Sequence, residues 1–181
     1  MRAAVVVFPG SNCDRDCVRA LAGLGAEAVS VWHERVDLAG AELVVLPGGF
    51  AHGDYLRTGA LARFSPVMEA VRRHAAGGGH VVGICKGFQI LCEAGMLPGA
   101  LRRNDGLKFI CREVGVSVET ASDFTRRAPI GRVLRMPINH FEGNYFCDDA
   151  TLAHLRARDR IVLRYVDNPN GSRDDIAGIV N

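Results

Sequence analysis

Cys85 stands between Gly83 and Gly87 in the run His80-Val81-Val82-Gly83-Ile84-Cys85-Lys86-Gly87-Phe88-Gln89. A cysteine with glycines two positions to either side has the spacing of a nucleophile elbow, a sharp strand-to-helix turn, with sulfur in place of the commoner hydroxyl. Such a turn forces strained backbone angles on the residue at its tip. Side chains two positions away would collide, so both flanking positions call for glycine. The geometry lifts the sulfur into solvent at the N-terminus of the following helix, where the positive end of the dipole favours thiolate over thiol. The backbone N–H of Lys86 then points to where an oxyanion would form. The chemistry implied is attack of a thiolate on a carbonyl-type carbon. A buried core cysteine, behaving as a small hydrophobe, is the plainer use of the same residue, and the surrounding elements must decide between the two.

An elbow needs a buried strand before it and a helix after it, and the chain supplies both. Residues 80–85 read as a strand, and Phe88, Ile90, Leu91 and Cys92 as the apolar side of a helix. Upstream, residues 3–8 form a continuous apolar run typical of a parallel strand covered on both faces. Pro9-Gly10-Ser11-Asn12 is a turn. Residues 13–24 have helical spacing (Cys17, Val18, Leu21, Leu24) and stop at Gly25. Residues 26–32 and 43–46 are further strands, the latter ending in Pro47-Gly48-Gly49-Phe50. Residues 59–76 read as a helix, with Leu61, Phe64, Val67, Met68 and Val71 on one stripe and Gly77-Gly78-Gly79 ending it. Strands alternating with helices predict an α/β fold with an open, mostly parallel sheet and helices on both faces. Ligands bind such sheets outside the carboxyl ends of the strands. Pro47-Gly48-Gly49 and Cys85 both lie at such ends, so they can face each other.

The second half changes character. Residues 109–118, 131–137 and 161–166 read as strands, with one short helix over 149–156, a loose surface loop over 120–127 and a turn at Asn168-Pro169-Asn170-Gly171-Ser172. No repeat or linker divides the chain, so a single domain over 1–181 is expected. A net charge of +2 and a charged fraction of 23% give no electrostatic footprint for nucleic acid or a membrane surface. No stretch approaches the length of a membrane span. The first apolar run is too short for a secretory signal and ends in Pro9-Gly10. The six cysteines therefore read as the thiols of a cytoplasmic protein. Cys13 and Cys17 have no second pair at ligand spacing, so no metal is expected.

Three motifs stand together: Phe8-Pro9-Gly10-Ser11-Asn12-Cys13, Pro47-Gly48-Gly49-Phe50 followed by Gly53-Asp54-Tyr55-Leu56-Arg57, and Gly83-Ile84-Cys85-Lys86-Gly87-Phe88-Gln89. With Leu97-Pro98-Gly99-Ala100, Pro137-Ile138-Asn139-His140-Phe141-Glu142-Gly143-Asn144-Tyr145 and the turn at 168–172, the chain closely resembles, from end to end, the glutaminase subunit of phosphoribosylformylglycinamidine synthase. That family is a class I glutamine amidotransferase of purine biosynthesis with a flavodoxin-like sheet. The resemblance implies hydrolysis of L-glutamine to glutamate and ammonia. The ammonia passes to a large synthetase subunit, which uses ATP and magnesium to convert formylglycinamide ribonucleotide to the amidine, with a small accessory subunit as third partner. It implies no cofactor in this chain. It implies Cys85 as nucleophile, the backbone N–H groups of Gly49 and Lys86 as the oxyanion hole, and Gln89, Asn139 and Phe141 as substrate contacts. Tyr55 and Arg57 would shape the mouth or the partner surface.

Two departures bear on that expectation. The family usually carries asparagine after the nucleophile, where this chain has Lys86; the backbone donor survives the change. The family's base is a histidine, with a glutamate two residues later, on a strand following residues 175–181. This chain ends at Asn181, before that motif. The expectation is thus a C-terminally truncated glutaminase subunit, weakly active or inactive as it stands, with His140 and Glu142 as substitute base and orienter. Two alternatives follow. One is a degenerate, non-catalytic subunit of the same complex. The other is a cysteine hydrolase of the intracellular protease and deglycase type, which shares the Pro-Gly-Gly turn and the cysteine elbow but not the segments at 139–145 and 168–172.

Overall fold

A computed structural model describes residues 1–54 and 59–181, the side chain of Asp54 excepted; Tyr55 and Arg57 lie outside the described residues. The chain forms two compact units, Met1–Met96 and Leu97–Asn181.

The first unit is built on a four-stranded parallel sheet. Its strands are β1 (Arg2–Val7), β2 (Glu27–Trp32), β3 (Leu43–Leu46) and β4 (His80–Gly83), in the order β2-β1-β3-β4. Ala3, Ala4, Val5 and Val6 of β1 are all fully buried, as befits a central strand without a polar face. Helix α1 (Asp14–Gly23) joins β1 to β2, and α2 (Val67–Ala76) joins β3 to β4. These two connections step outward from the sheet centre in opposite directions. Right-handed crossovers in opposite directions put their helices on opposite faces. They also leave a topological switch point between the carboxyl ends of β1 and β3, the usual ligand crevice of such sheets. Helix α3 (Lys86–Glu93) follows β4.

Two expectations are corrected in this unit. The helix read over 59–76 begins only at Val67. Ser65 is extended (φ −63°, ψ 139°) because the residue before a proline is pushed out of the helical region, and Pro66 starts the helix in its place. The preceding residues make turns and a short 3-10 segment at Ala62–Phe64, so Leu61 and Phe64 leave the apolar stripe and are exposed. Helix α1 forms as predicted but buries none of its residues, and Leu24, just past its end, is exposed. The glycine stop of α2 holds: Gly78 sits at φ +83°, and the amides of Gly78 and Gly79 donate to Ala75 O and His74 O at 2.9 Å.

The second unit is antiparallel. It contains β5 (Ala100–Arg102), β6 (Ile110–Val118), β7 (Val133–His140), β8 (Asn144–Phe146), α4 (Asp149–Ala157), β9 (Ile161–Tyr165) and β10 (Ile176–Ile179). The larger sheet runs β10-β9-β6-β7, and β5 pairs with β8. Strand β7 continues three residues past Pro137, where the sequence suggested it ends. It is an edge strand, so the missing N–H of Pro137 costs little ladder bonding, and Asn139 and His140 still pair with Cys111 and Ile110. Helix α4 is capped by Asp148, whose carboxylate accepts from Thr151 N at 2.8 Å. The stretch at 120–127 is tied down rather than loose: Thr125 is buried and its hydroxyl is held by Ser122 N at 2.8 Å and donates to Thr120 O at 3.0 Å.

Candidate active site

Cys85 sits at the tip of the turn between β4 and α3 with φ 51° and ψ −105°. This is a positive-φ conformation that a side-chain-bearing residue adopts only under constraint. The constraint comes from the flanking glycines. A Cβ on Gly83 would stand 2.6 Å from Gly87 C and O, and one on Gly87 would run into the carbonyl of Leu46. The bend is closed by Gly87 N donating to Ile84 O at 2.8 Å, and Gln89 N to Cys85 O at 3.1 Å begins α3. Cys85 is solvent-exposed, so the buried-core reading fails on geometry. The sulfur-bearing residue caps a helix N-terminus, where partial positive charge favours an anion.

The proline–diglycine corner lies beside it. A Cβ on Gly48 would be 3.4 Å from Cys85 Cβ and 3.5 Å from Ile84 O, and Ile84 N donates to Leu46 O at 3.0 Å. The turns after β3 and β4 are therefore in contact. Gly49 has φ +107°, and a Cβ there would run into Asn12 Oδ1. The turn after β1 closes on the same corner: Asn12 Oδ1 accepts from Phe50 N at 3.0 Å, and Pro9 O accepts from His52 N at 2.6 Å. Lys86 is 2% exposed, and its charge is one of the causes that lower the pKa of His52, after burial and the charge of His33. Gln89 is buried one turn into α3. The first unit thus brings together Cys85, Gly49 and Lys86 at the carboxyl ends of its strands, with Gln89 behind them.

The second unit carries the other expected residues. Asn139 is exposed near the end of β7, and Phe141 is half-exposed with the Arg103 guanidinium 5.7 Å from its ring. The organiser of this segment is Asn104, which sequence reasoning did not single out. It is fully buried. Its Nδ2 donates to Lys108 O at 2.8 Å and His140 O at 3.0 Å, while its Oδ1 accepts from Gly143 N at 3.1 Å and contacts His140 Nδ1 at 3.2 Å. Because Oδ1 can only accept, His140 donates through Nδ1, which leaves Nε2 as its basic nitrogen. That Nε2 is buried without a hydrogen-bond partner among the described residues, and burial lowers the pKa of the ring, offset in part by a bond to its own backbone. The group that orients His140 is therefore Asn104. Glu142, expected as the orienter, has its carboxylate 4.0 Å from Arg103 Nε.

Around the segment, Ser172 Oγ accepts from Tyr145 N at 3.0 Å, and Asn170 Nδ2 donates to Gly143 O at 2.8 Å. The turn at 168–172 thus braces residues 143–145. Among the described residues no group of three or more His, Cys, Asp and Glu side chains could hold a metal ion, and no helix is long and apolar enough to cross a membrane.

Comparison with known proteins points the same way. The family model for CobB/CobQ-like glutamine amidotransferase domains matches residues 1–181. The phosphoribosylformylglycinamidine synthase subunit PurQ of Koribacter versatilis is 56% identical over 192 residues, covering 100% of this chain and 83% of that protein. PurQ of Rubrobacter xylanophilus is 56% identical over 180 residues, covering 99% of this chain and 82% of that protein. The solved structure of PurLQS from Thermotoga maritima superposes with a TM-score of 0.91 at 44% identity, over 99% of this chain and 81% of that one. A glutamine amidotransferase from Thermotoga maritima, at 16% identity and a TM-score of 0.56 over 82% of this chain and 63% of that one, shares the fold.

Proposed function

From the premise that the chain belongs to the CobB/CobQ-like glutamine amidotransferases, and within them resembles the glutaminase subunit of phosphoribosylformylglycinamidine synthase, we propose that Cys85 is the nucleophile of a glutamine-hydrolysing site. The observation that supports it most is the exposed Cys85 at a left-handed elbow, capping α3 and touching the proline–diglycine corner. Cys85 Sγ attacks the side-chain amide carbon of glutamine, and the carbonyl oxygen becomes an oxyanion facing the N–H groups of Gly49 and Lys86. The oxyanion collapses as the C–N bond breaks. The thiol's proton leaves with the nitrogen as ammonia, and a thioester remains. Water cleaves the thioester to glutamate and restores the thiol. Each oxyanion donor contributes on the order of 2.7–4 kcal/mol to the barrier reduction.

The ammonia is consumed by the synthetase partner, where ATP and magnesium act; this chain contributes glutamine chemistry alone, in the cytoplasm, with the small accessory subunit as third member. Gln89, Asn139 and Phe141 contact the substrate. For His140 we take the lesser role of shaping the substrate segment, since its Nε2 is buried and its Nδ1 engaged by Asn104. His140→Gln then changes KM more than kcat; a kcat loss of about 10²–10⁴-fold would give it the base's role instead. The cysteine-hydrolase alternative is not favoured by relatives at 56% identity along the whole chain.

The central test uses the complex with the synthetase partner. Cys85→Ala should abolish amidine formation from glutamine and leave the ammonia-dependent reaction intact. Glutamine-dependent turnover that survives the substitution would overturn the assignment. A wild-type complex that uses only ammonia would support the non-catalytic alternative.

A further inference from the structure

The turn after β1 does more than border the site. Three contacts fasten it to the corner after β3. Asn12 Oδ1 accepts the Phe50 N–H at 3.0 Å, Pro9 O accepts the His52 N–H at 2.6 Å, and Gly10 packs so that a Cβ on it would stand 3.4 Å from Phe50 O. The turn is itself tied off, with Ser11 Oγ accepting from Phe8 N at 3.1 Å and Ser11 N donating to Phe8 O at 3.0 Å. Asn12 is the member that reaches the reacting region. Its amide oxygen lies against Gly49 Cα, in the space that any side chain at residue 49 would need.

A peptide unit is planar, so fixing one N–H fixes the carbonyl on its other side. Holding the Phe50 N–H on Asn12 therefore fixes the Gly49–Phe50 peptide, while the Gly49 N–H lies in the preceding Gly48–Gly49 peptide, joined to it through Gly49 Cα. Gly49 is the residue least able to resist rotation on its own, because without a Cβ it can occupy many φ/ψ regions. Its φ of +107° is one choice among several.

We propose that Asn12 is a positioning residue of the glutaminase reaction: by fixing the peptide that follows Gly49 and filling the space beside its Cα, it restricts where the Gly49 nitrogen can sit and so holds its N–H within reach of the oxyanion formed on the substrate of Cys85. This rests on the assignment of Gly49 and Cys85 above. Asn12 is itself solvent-exposed, so water can take its place as acceptor. The effect is therefore that of one net hydrogen bond, about tenfold in rate, rather than the loss of the oxyanion donor.

The test compares Asn12→Leu and Asn12→Ala with wild type, each as the full chain in complex with the synthetase partner. Three readouts are needed: steady-state glutaminase kinetics, the rate of Cys85 alkylation by iodoacetamide, and the thermal midpoint. Alkylation proceeds at a tetrahedral carbon and develops no oxyanion, so it reports the thiolate and its access alone. The expected result is kcat lower by about tenfold, with KM and the alkylation rate within about twofold of wild type. An unchanged kcat would overturn the proposal. So would a parallel loss of alkylation, or loss of folding in both variants, since either would mean that Asn12 merely supports the elbow. Failure of the underlying assignment looks different: glutamine turnover would then survive Cys85→Ala.

Discussion

At the scale of single residues, the positions beside Cys85 divide into those whose backbone acts and those whose side chain acts. Gly49 and Lys86 are expected to act through N–H groups, and the two should respond oppositely to substitution. A methyl group on Gly49 would collide with Asn12 Oδ1 and would have to sit at φ +107°, a region that L-residues rarely adopt. Gly49→Ala should turn the corner and lower kcat by about 10²–10³-fold, the cost of one oxyanion donor. Lys86→Asn changes a side chain and leaves the donor in place, so kcat should stay within about threefold. Glutamine turnover in the complex measures both; a Lys86→Asn variant as impaired as Gly49→Ala would show that the ammonium, and not the amide, is the active group. Cys85 and its glycines were legible from the sequence because the pattern of an elbow lies within five residues, even though one of its causes, the Leu46 carbonyl against Gly87, does not. Asn12 was legible only as a turn residue, since its partner Phe50 is 38 positions away and no local pattern encodes that pairing.

At the scale of elements, the same contrast explains which strands were foreseen. β1 through β4 were read from the sequence, β1, β3 and β4 by short apolar runs and β2 by valines at 29 and 31 on either side of Ser30. β5 and β8 have three residues each, too few for any periodicity. They are held by Tyr145, a buried residue of β8 that reaches the loop at 97–99. Its hydroxyl donates to Pro98 O at 2.9 Å, and its ring fills the place a side chain at Gly99 would take. β7 runs on past Pro137, where the sequence suggested an end, because at a sheet edge a proline need not interrupt the ladder. The element most exposed to a single substitution is the 139–143 segment, which hangs on Asn104. Asn104→Ala would remove four hydrogen bonds and leave buried donors and acceptors unpaired, at about 1–3 kcal/mol for each group that water cannot reach. With partial relaxation the expected loss is about 3–4 kcal/mol, or roughly 10 °C in Tm for a chain of this size. Calorimetry of the variant checks the first figure. Because the segment is assigned to the substrate, KM for glutamine should rise with it. A variant with unchanged Tm would mean that the network carries no net stability.

At the scale of the whole molecule, several wholly or partly buried ionisable groups make the stability of the fold depend on pH. His52 and His140 both have lowered pKa values, burial being the largest cause in each. The unfolded chain takes up protons near the ordinary histidine value of 6.5. The folded chain does so only at lower pH, so below that value the unfolded state binds more protons and stability falls with pH. Asp174 adds a second acid limb. The hydrogen bond from Arg156 leads the causes that hold its carboxyl below 3.8, so its contribution is present above that value and is lost as pH falls through the lower folded one. On the alkaline side the sign reverses. Burial, reinforced by the Glu93 carboxylate, pushes the Cys92 thiol from 9.0 to about 12. Above pH 9 the unfolded thiol ionises while the folded one cannot, and that contribution is lost as pH rises toward 12. The expected profile is a plateau in Tm between about pH 6.5 and 9, with a decline on each side. His140→Asn should flatten the slope between pH 6.5 and 5, and Cys92→Ala the slope above pH 9, whatever each does to Tm on the plateau. A wild-type Tm that stays level from pH 6.5 to 5, or a slope over that range that survives the combined loss of His52 and His140, would place the titrating groups elsewhere in the fold.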